Sequence, residues 1–259
     1  MKVSVIIPAH NEEKVIEKTL KKTLDVLKRA KFAYEIILVD DNSNDKTGEV
    51  AEKLSRKNKR MKILHKKARK KGPTGMGSAL KFGFKHSTGD ILIPFMGDLS
   101  DDPRHIPKLV NKLLDGYDVV CGSRFIKGGH LKDYPKAKFL INRLWNNVFD
   151  FLFGLGIKDT SNAFKAYRRE VIKKIKPKSN GFDITAEIVL KAHILKFKII
   201  EVPVSWHGRT KGESKFGSFS FIYTITKIPK IGYQYGTLAL KLWFKFLSKK
   251  IKEGLNIGL

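Results

Sequence analysis

Two kinds of hydrophobic pattern alternate along this chain. Short segments rich in apolar residues, typical of strands, occur at residues 3–7, 34–39, 61–64, 91–96, 118–121 and 199–205, and the run at 91–96 is apolar throughout, as expected of a strand buried on both faces. After the first run, apolar residues recur at helical spacing, at Ile16, Leu20, Leu24 and Leu27. Strands and helices that alternate with short links predict an α/β fold built on a parallel, doubly wound sheet.

Length and composition limit the possible classes of protein. A chain of 259 residues can bury a substantial core as one large domain, with or without an appended segment. The single Cys121 excludes an intramolecular disulfide framework and a multi-cysteine metal site. The first apolar run is too short for a signal peptide, so we expect the protein to stay on the cytoplasmic side.

The charge of the chain favours an anionic partner. Lys and Arg outnumber Asp and Glu by 52 to 25, which gives a net charge of +27. By charge alone this partner could be nucleic acid, a phosphorylated ligand or anionic lipid. A lysine-rich surface is also common in thermophilic proteins, so part of the excess needs no partner.

Acidic side chains follow three of the predicted strands. Glu12 follows the first strand, Asp40 and Asp41 end the second, and Asp98 follows the run at residues 91–96. Ligands bind outside the carboxyl ends of parallel strands, and carboxylate oxygens suit Mg²⁺ or Mn²⁺. The glycine-rich dinucleotide loop and the P-loop are both absent from the sequence. The pattern therefore predicts a nucleotide-sugar site whose phosphates are neutralised by a metal.

The two acidic residues after Asp98 allow two interpretations. Asp101 and Asp102 precede Pro103, which is the pattern of an acidic cap and a first-turn proline at the start of a helix. We favour this interpretation for both residues, with additional metal ligands as the alternative.

Six motifs stand out along the chain: Ile-Ile-Pro-Ala-His-Asn-Glu-Glu (6–13), Val-Asp-Asp-Asn-Ser-Asn-Asp (39–45), Gly-Asp-Leu-Ser-Asp-Asp-Pro (97–103), Gly-Ser-Arg-Phe-Ile-Lys-Gly-Gly (122–129), Asp-Thr-Ser-Asn-Ala-Phe-Lys-Ala-Tyr-Arg-Arg (159–169) and Arg-Thr-Lys-Gly-Glu-Ser-Lys (209–215). Together they resemble the GT-A fold glycosyltransferases of family 2, and within them the dolichol-phosphate mannosyltransferase-like enzymes. The last three are the most specific to polyprenyl-phosphate enzymes. The likeness covers residues 1–215 and implies a GT-A (Rossmann-like), mostly parallel sheet flanked by helices. It has a nucleotide-binding half at about residues 1–115 and an acceptor half at about residues 116–215.

The resemblance also implies the residues of the site. Mg²⁺ or Mn²⁺ would bind to Asp98 and Ser100. The donor would bind to Pro8, His10, Glu12, Asp40, Asp41, Arg209 and Lys215. The acceptor phosphate would bind to Arg124, Lys138 and Asn142, and the catalytic group would be Asp98, Arg124 and Arg209. Met96 replaces the first Asp of the family's Asp-x-Asp motif, so we expect weaker metal binding.

These residues suit the transfer of a monosaccharide, mannose or glucose, from a nucleotide diphosphate to a polyprenyl phosphate. Such an acceptor is largely ionised at neutral pH and needs no strong general base. It needs an anion clamp, and the guanidinium fork of Arg124 matches phosphate oxygens, although Arg124 and Lys138 could also be ordinary solvated cations. A single displacement would invert the anomeric carbon. Glu187 either positions the donor sugar or pairs with a lysine, and for His207 we expect a structural role.

The tail at residues 216–259 is predicted to form amphipathic helices at a membrane interface. On a helix over residues 238–252, one side would carry Leu240, Trp243, Phe244, Leu247 and Ile251. The other side would carry Lys241, Lys245, Lys249 and Lys252, which could attract anionic lipid. Lysines interrupt the apolar residues too often for a membrane-spanning helix, which needs about 20 of them. The alternative is a helix packed on its own domain or on a dimer partner.

Three hypotheses about function follow. The leading one is an inverting transferase bound peripherally at the cytoplasmic face of the membrane. The second is a catalytically impaired nucleotide-sugar binder, suggested by Met96, and the third is a family 2 transferase with another glycan acceptor. Nucleic-acid binding is excluded because the chain lacks the interleaved aromatic residues and motifs of such proteins. The oligomeric state stays open.

Overall fold

The computed structural model describes residues 1–66, 75–208 and 221–254, with side chains in the last range described for residues 232–251. The strands are β1 (Lys2–Ala9), β2 (Ala33–Asp40), β3 (Met61–His65), β4 (Ile91–Pro94), β5 (Val119–Ser123), β6 (His130–Lys132), β7 (Lys165–Arg168), β8 (Ile199–Pro203) and β9 (Ser205–His207). The helices are α1 (Glu13–Arg29), α2 (Thr47–Ser55), α3 (Met76–His86), α4 (Ile106–Leu114), α5 (Lys136–Phe153), α6 (Arg169–Ile175), α7 (Ile184–Ile194) and α8 (Phe221–Gly254). The first five predicted strands are confirmed as β1 to β5.

The main sheet has the strand order β3-β2-β1-β4-β7-β5-β8. Its pairs are parallel except where β7 lies antiparallel between β4 and β5. The predicted mostly parallel α/β class is therefore confirmed, but an entirely parallel sheet is wrong. The hydrophobic pattern did not predict β7, because this four-residue strand begins with Lys165 and ends with Arg168 and so contains only two apolar residues. Lys165 is nevertheless fully buried, and its ammonium donates to the carbonyl oxygen of Thr160 at 3.0 Å.

The predicted strand at residues 199–205 is wrong as a single element. It splits at Val204 into β8, which pairs with β5, and β9, which pairs with β6 in a separate two-stranded sheet. The change of partner is made by Val204 itself, whose N–H donates to the Ser123 carbonyl at 3.0 Å and whose carbonyl accepts from the His130 N–H at 3.1 Å. Backbone pairing, which leaves no periodic trace in the sequence, therefore brings β9 to the edge where the acidic loops lie.

Apolar side chains cover both faces of the main sheet. On β1, Ile6 packs into one cluster with residues of α3, α5, α7 and α8. Its neighbours Val5 and Ile7 point the other way, into a cluster with residues of α1 and α4. Ile16 and Leu20 of α1 are fully buried there, as their helical spacing predicted. Burial on both faces explains why the central strands β1 and β4 are rich in apolar residues.

Helix α8 is one continuous helix of 34 residues, not several helices. Tyr235, Ala239 and Leu242 are buried against the domain. Trp243 also packs toward the core, whereas Leu240, Phe244 and Ile251 are exposed. The prediction of a single apolar side is therefore wrong, because apolar residues cover two sides of the helix. Among the described helices, none is long and apolar enough to cross a membrane.

We expect Glu35 on β2 to stabilise the fold in a pH-dependent way. Its carboxylate accepts from the Ser4 hydroxyl at 2.6 Å, the Thr88 N–H at 2.6 Å and the Lys2 ammonium at 3.0 Å. Burial raises the pKa of Glu35, but these hydrogen bonds outweigh it and lower the pKa from 4.5 to about 2. A lowered pKa in the folded state means that the stabilisation is complete above about pH 4.5 and is lost as the pH falls toward 2.

Glu35→Gln should therefore lower the free energy of unfolding by about 1–2 kcal/mol near neutral pH, a value discounted for solvent screening. The difference from the wild type should shrink below pH 4.5. Urea unfolding followed by circular dichroism at several pH values measures both effects. Glu17→Gln, which breaks an exposed pair with Lys21, is the matched control and should change little. A difference for Glu35→Gln that does not depend on pH would contradict the assignment.

Candidate active site

The loop after β4 brings the two predicted metal residues into contact. Asp98 is largely buried, and its Oδ1 accepts from the Ser100 N–H at 3.0 Å and from the Ser100 hydroxyl at 2.6 Å. Between them, Leu99 has a φ of 63°, an uncommon conformation for a residue with a side chain. Such strain persists only where the surroundings enforce it, and it often marks a functional loop.

Asp101 and Asp102 differ in their surroundings. Asp102 accepts from the Arg104 N–H at 2.9 Å and caps the 3₁₀ turn Pro103–His105, so it has the predicted capping role. Asp101 does not cap this turn: it is buried, and neither carboxylate oxygen has a hydrogen-bond partner in the described part of the chain. Burial, then the nearby charge of Asp98, raises the pKa of Asp101 to about 7, and the charge of Arg124 and the Met96 N–H lower it only in part. For Asp101 the capping interpretation is therefore wrong.

The predicted donor residues of the first two strands lie at the same edge of the sheet. Pro8 is buried on β1, next to β2. The His10 Nδ1 lies 2.8 Å from the carbonyl oxygen of Asp41. The Asp41 carboxylate accepts from the Lys66 ammonium at 2.6 Å and from the Gly75 N–H at 3.0 Å. Lys66 was not among the predicted site residues, because its position in a lysine-rich stretch gives no distinguishing signal.

Asp40 and Glu12 are each held by neighbouring groups. Asp40 Oδ1 accepts from the Ser43 N–H at 3.0 Å, and its Oδ2 lies 3.1 Å from His65 Nδ1. Partial burial lowers the pKa of His65, but hydrogen bonds to Glu52 and Asp40 outweigh it and raise this pKa. Glu12 is buried at the start of α1, where its N–H donates to the Thr47 hydroxyl at 2.8 Å.

Arg124 forms a buried ion pair that the sequence did not predict. Its Nε lies 2.7 Å from Asp159 Oδ2, and its Nη2 lies 2.9 Å from Asp159 Oδ1. Both side chains are almost inaccessible, with exposed fractions of 5% and 0%. Burial raises the pKa of Asp159, but the charge and hydrogen bonds of Arg124 outweigh it and lower that pKa. Two of the guanidinium nitrogens are therefore committed to Asp159.

The three predicted acceptor residues meet around Tyr134, which was not predicted. Its hydroxyl accepts from Arg124 Nη1 at 3.4 Å and from Asn142 Nδ2. The Lys138 ammonium lies 5.1 Å from the centre of the Tyr134 ring and 5.1 Å from the centre of the Trp206 ring. We call Arg124, Tyr134, Lys138, Asn142 and Trp206 the acceptor cluster. It is a cationic group with two aromatic rings, which suits a phosphate joined to an apolar tail.

Strand β9 connects the acceptor cluster to the loop at residues 95–102, which we call the metal loop because it carries the predicted metal residues Asp98 and Ser100. Trp206 forms an antiparallel bridge with Asp101, and the His207 N–H donates to the Ser100 carbonyl at 2.9 Å. His207 thus holds the loop in place through its backbone N–H, which agrees with the structural role expected for it. Arg209 and Lys215 follow in the sequence but lie outside the described residues.

Glu187 is buried and pairs with Lys191, and it also accepts from the N–H groups of Lys178 and Ser179. Of the two interpretations of Glu187, the structure therefore supports pairing with a lysine. The backbone carbonyl of Asn180, in the loop that Glu187 holds, accepts from the Ser78 N–H at 3.1 Å and joins this loop to the start of α3.

We expect Arg124→Ala to destabilise the protein by about 3–5 kcal/mol, because it leaves the buried charge of Asp159 without its partner. Urea unfolding measures this loss. The matched control is Lys138→Ala, which removes a half-buried cation of the same cluster and should cost about 1 kcal/mol or less. Equal stability of the two variants would contradict a structural role for the Arg124–Asp159 pair.

Comparison with solved structures identifies the fold. The chain is similar to a glucosyl-3-phosphoglycerate synthase from Mycobacterium tuberculosis solved with Mn²⁺, uridine diphosphate and glucosyl-3-phosphoglycerate, with a TM-score of 0.67 and 17% identity over 95% of this chain and 79% of that one. At this identity the likeness carries the fold alone, and it confirms the predicted GT-A fold.

Two curated relatives are closer in sequence. A dolichol-phosphate mannosyltransferase from Pyrococcus furiosus is 36% identical over 89% of this chain, which spans 64% of that protein's length. A polyprenol monophosphomannose synthase from Mycolicibacterium smegmatis is 28% identical over 88% of this chain and 86% of its own length. Residues 4–176, which include the metal loop and Arg124, match the family model described as Glycosyl transferase family 2. The chain belongs to glycosyl transferase family 2.

Proposed function

We propose that this chain is an inverting glycosyltransferase that moves a monosaccharide, mannose or glucose, from a nucleotide diphosphate to a polyprenyl phosphate at the cytoplasmic face of the membrane. The observation that carries the proposal is the contact between the metal loop and the acceptor cluster through β9. A transferase must hold the leaving diphosphate and the attacking phosphate close together. The names of the two curated relatives, a mannosyltransferase and a monophosphomannose synthase, support this substrate class.

The metal loop fits a divalent ion that is bound together with the donor. Asp98 and Ser100 would supply oxygen ligands, and close to Asp98 lie the buried oxygens of Asp101, which have no hydrogen-bond partner among the described residues. No cluster of three or more acidic, His or Cys side chains that could hold a metal occurs among the described residues. Mg²⁺ is often bound by one or two carboxylates plus substrate phosphates, so a small protein ligand set suits this role. When bound, the ion supplies electrostatic stabilisation to the departing diphosphate.

The acceptor cluster provides what a phosphate nucleophile requires. A phosphate monoester carries its own negative charge, so the site has to bind and orient it without first removing a proton from it. Lys138 supplies a cation held over two aromatic rings. Arg124 Nη1 and Asn142 Nδ2 each donate one hydrogen to Tyr134, and each nitrogen carries a second N–H that can donate to a phosphate oxygen. Attack from the side opposite the leaving group inverts the anomeric carbon in a single displacement.

An apolar surface on α5 and α8 suits docking on the membrane. The two helices pack together through Trp145 and Tyr235. Large exposed apolar side chains lie on both helices, at Leu140, Leu144, Phe151, Leu240, Phe244 and Ile251. Exposed lysines, Lys241 and Lys245 among them, lie on α8. Apolar residues beside lysines favour peripheral binding to a bilayer that contains anionic lipid, which would bring the site to a lipid-linked acceptor.

A second candidate is a catalytically impaired nucleotide-sugar binder. Met96, which takes the place of a metal-binding Asp, is the observation that favours it. Transfer of radiolabelled sugar into a lipid that extracts into organic solvent, with and without chelator, separates the two candidates. Transfer to a different glycan with none to polyprenyl phosphate would contradict the proposed acceptor.

Asp98→Asn should lower transfer by at least about a hundredfold, because it removes the charged oxygen that the ion requires. The fold should stay intact, since Asp98 lies in the edge loop and not among the apolar residues of the core. Binding of Mn²⁺ in the presence of nucleoside diphosphate, followed by electron paramagnetic resonance, should weaken in parallel. Asp102→Asn, which alters the adjacent helix cap, is the control and should retain metal binding. If Asp98→Asn keeps full activity and a chelator does not reduce it, the proposed role of the metal is wrong.

Leu144→Glu should weaken binding to vesicles with anionic lipid about tenfold or more, because burial of one leucine contributes about 1.5–3 kcal/mol. Co-sedimentation measures this, and raising the salt concentration should weaken wild-type binding. Leu114→Glu is the matched control, an equally exposed leucine on α4, which packs on the other face of the sheet. If Leu144→Glu instead splits a dimer and vesicles bind neither protein, the surface is an interface between copies of the chain.

A further inference from the structure

Tyr134 lies at the centre of the acceptor cluster in a fixed orientation. It precedes α5, and its ring packs edge-on against Trp206 with the ring centres 4.8 Å apart and an interplanar angle of 81°. The ammonium of Lys138 lies over both rings. The ring therefore has contacts on several sides, so the direction of its hydroxyl group is set by packing.

The hydrogen bonds of this hydroxyl determine where its proton can point. Its oxygen accepts from Arg124 Nη1 and from Asn142 Nδ2. A tyrosine oxygen has two lone pairs and one proton, and a guanidinium or an amide NH₂ can only donate. Both lone pairs are thus engaged by donors, and the O–H must find a different acceptor. Within the described part of the chain, this O–H donates no hydrogen bond.

The surroundings keep the hydroxyl protonated and make it a strong donor. Burial raises the pKa of Tyr134, although the charge of Arg124 lowers it in part. Two donors on the same oxygen polarise its O–H bond and strengthen the hydrogen bond that it gives. An anionic oxygen is the acceptor that gains most from such a donor, since charge-assisted hydrogen bonds are about twice as strong as neutral ones.

We propose that the Tyr134 O–H donates a hydrogen bond to a phosphate oxygen of the acceptor, beside the ammonium of Lys138. This inference rests on the proposed function and deepens it, because it assigns direct recognition of the phosphate to a residue outside the family motifs quoted above. Arg124, whose Nε and Nη2 bind Asp159, then acts on the phosphate partly through Tyr134. The proton stays on Tyr134, which binds the nucleophile and does not act as its base.

Tyr134→Phe is the direct test, because phenylalanine keeps the ring contacts and loses only the hydroxyl. With a water-soluble short-chain prenyl phosphate as acceptor, its KM should rise about tenfold to a hundredfold. The affinity for nucleoside diphosphate, measured by calorimetry, should stay unchanged. Tyr117→Phe, which removes a hydroxyl next to the opposite end of β5, is the matched control and should leave both constants unchanged.

A spectroscopic measurement distinguishes direct contact from a structural role. In protein labelled with ¹³Cζ-tyrosine, the resonance missing from Tyr134→Phe belongs to Tyr134, and the short-chain prenyl phosphate should shift it. A resonance that stays in place while the prenyl phosphate binds would overturn the inference. An unchanged KM for the acceptor would also overturn it. So would a loss of stability in Tyr134→Phe together with weaker binding of both donor and acceptor. If the resonance shifts but the wild type transfers no sugar to this acceptor, the inference stands and the proposed function fails.

Discussion

Two backbone contacts of β9 hold the candidate site together. The bridge between Trp206 and Asp101, and the hydrogen bond from the His207 N–H to the Ser100 carbonyl, join segments about a hundred residues apart in sequence. The same short strand pairs with β6, after which Tyr134 and α5 follow. Backbone hydrogen bonds have narrow geometric requirements, so they hold the metal loop at a defined distance from the acceptor cluster. The side chains of both groups depend on this arrangement for their positions.

The site places a group of carboxylates next to a group of cations. Carboxylates gather after β4, where burial and the charge of Asp98 raise the pKa of Asp101 to about 7. The cations belong to the acceptor cluster, where Arg124 is neutralised by Asp159 and Lys138 lies over aromatic rings. The first region suits a cation with a diphosphate, and the second suits a phosphate. The net charge of +27 is therefore consistent with phosphorylated ligands without any role for nucleic acid.

Helices α5 and α8 each have two apolar sides. On α8, Tyr235 and Leu242 pack on the domain while Leu240 and Phe244 are exposed, and on α5 Phe149 is buried while Phe151 is 89% exposed. An apolar surface of this kind is unusual on a soluble monomer and marks an interaction site. Packing on the domain and docking on a membrane are therefore compatible roles for α8, because they use different sides of the helix.

The local sequence was sufficient to predict much of the fold. Strands β1 to β5 and helix α1 were predicted because each carries a short segment rich in apolar residues or a helical stripe of them, and the mostly parallel sheet followed from their alternation. The amphipathic character of residues 238–252 was also visible, but which side meets the domain was not. Periodicity reports that a residue is apolar, not which surface covers it, so Trp243 and Leu240 could not be told apart.

The sequence alone also placed the acidic residues of the site at strand ends, and its motifs named Asp98, Ser100, Arg124, Lys138 and Asn142. Only the tertiary structure decided what surrounds them. It paired Arg124 with Asp159, separated the cap Asp102 from the buried Asp101, and placed Tyr134 among the acceptor residues. The turn at Val204 and the antiparallel β7 likewise have no local signature. Ion pairs, pKa values and strand partners depend on distances between atoms far apart in the chain, and those distances exist only once the chain has folded.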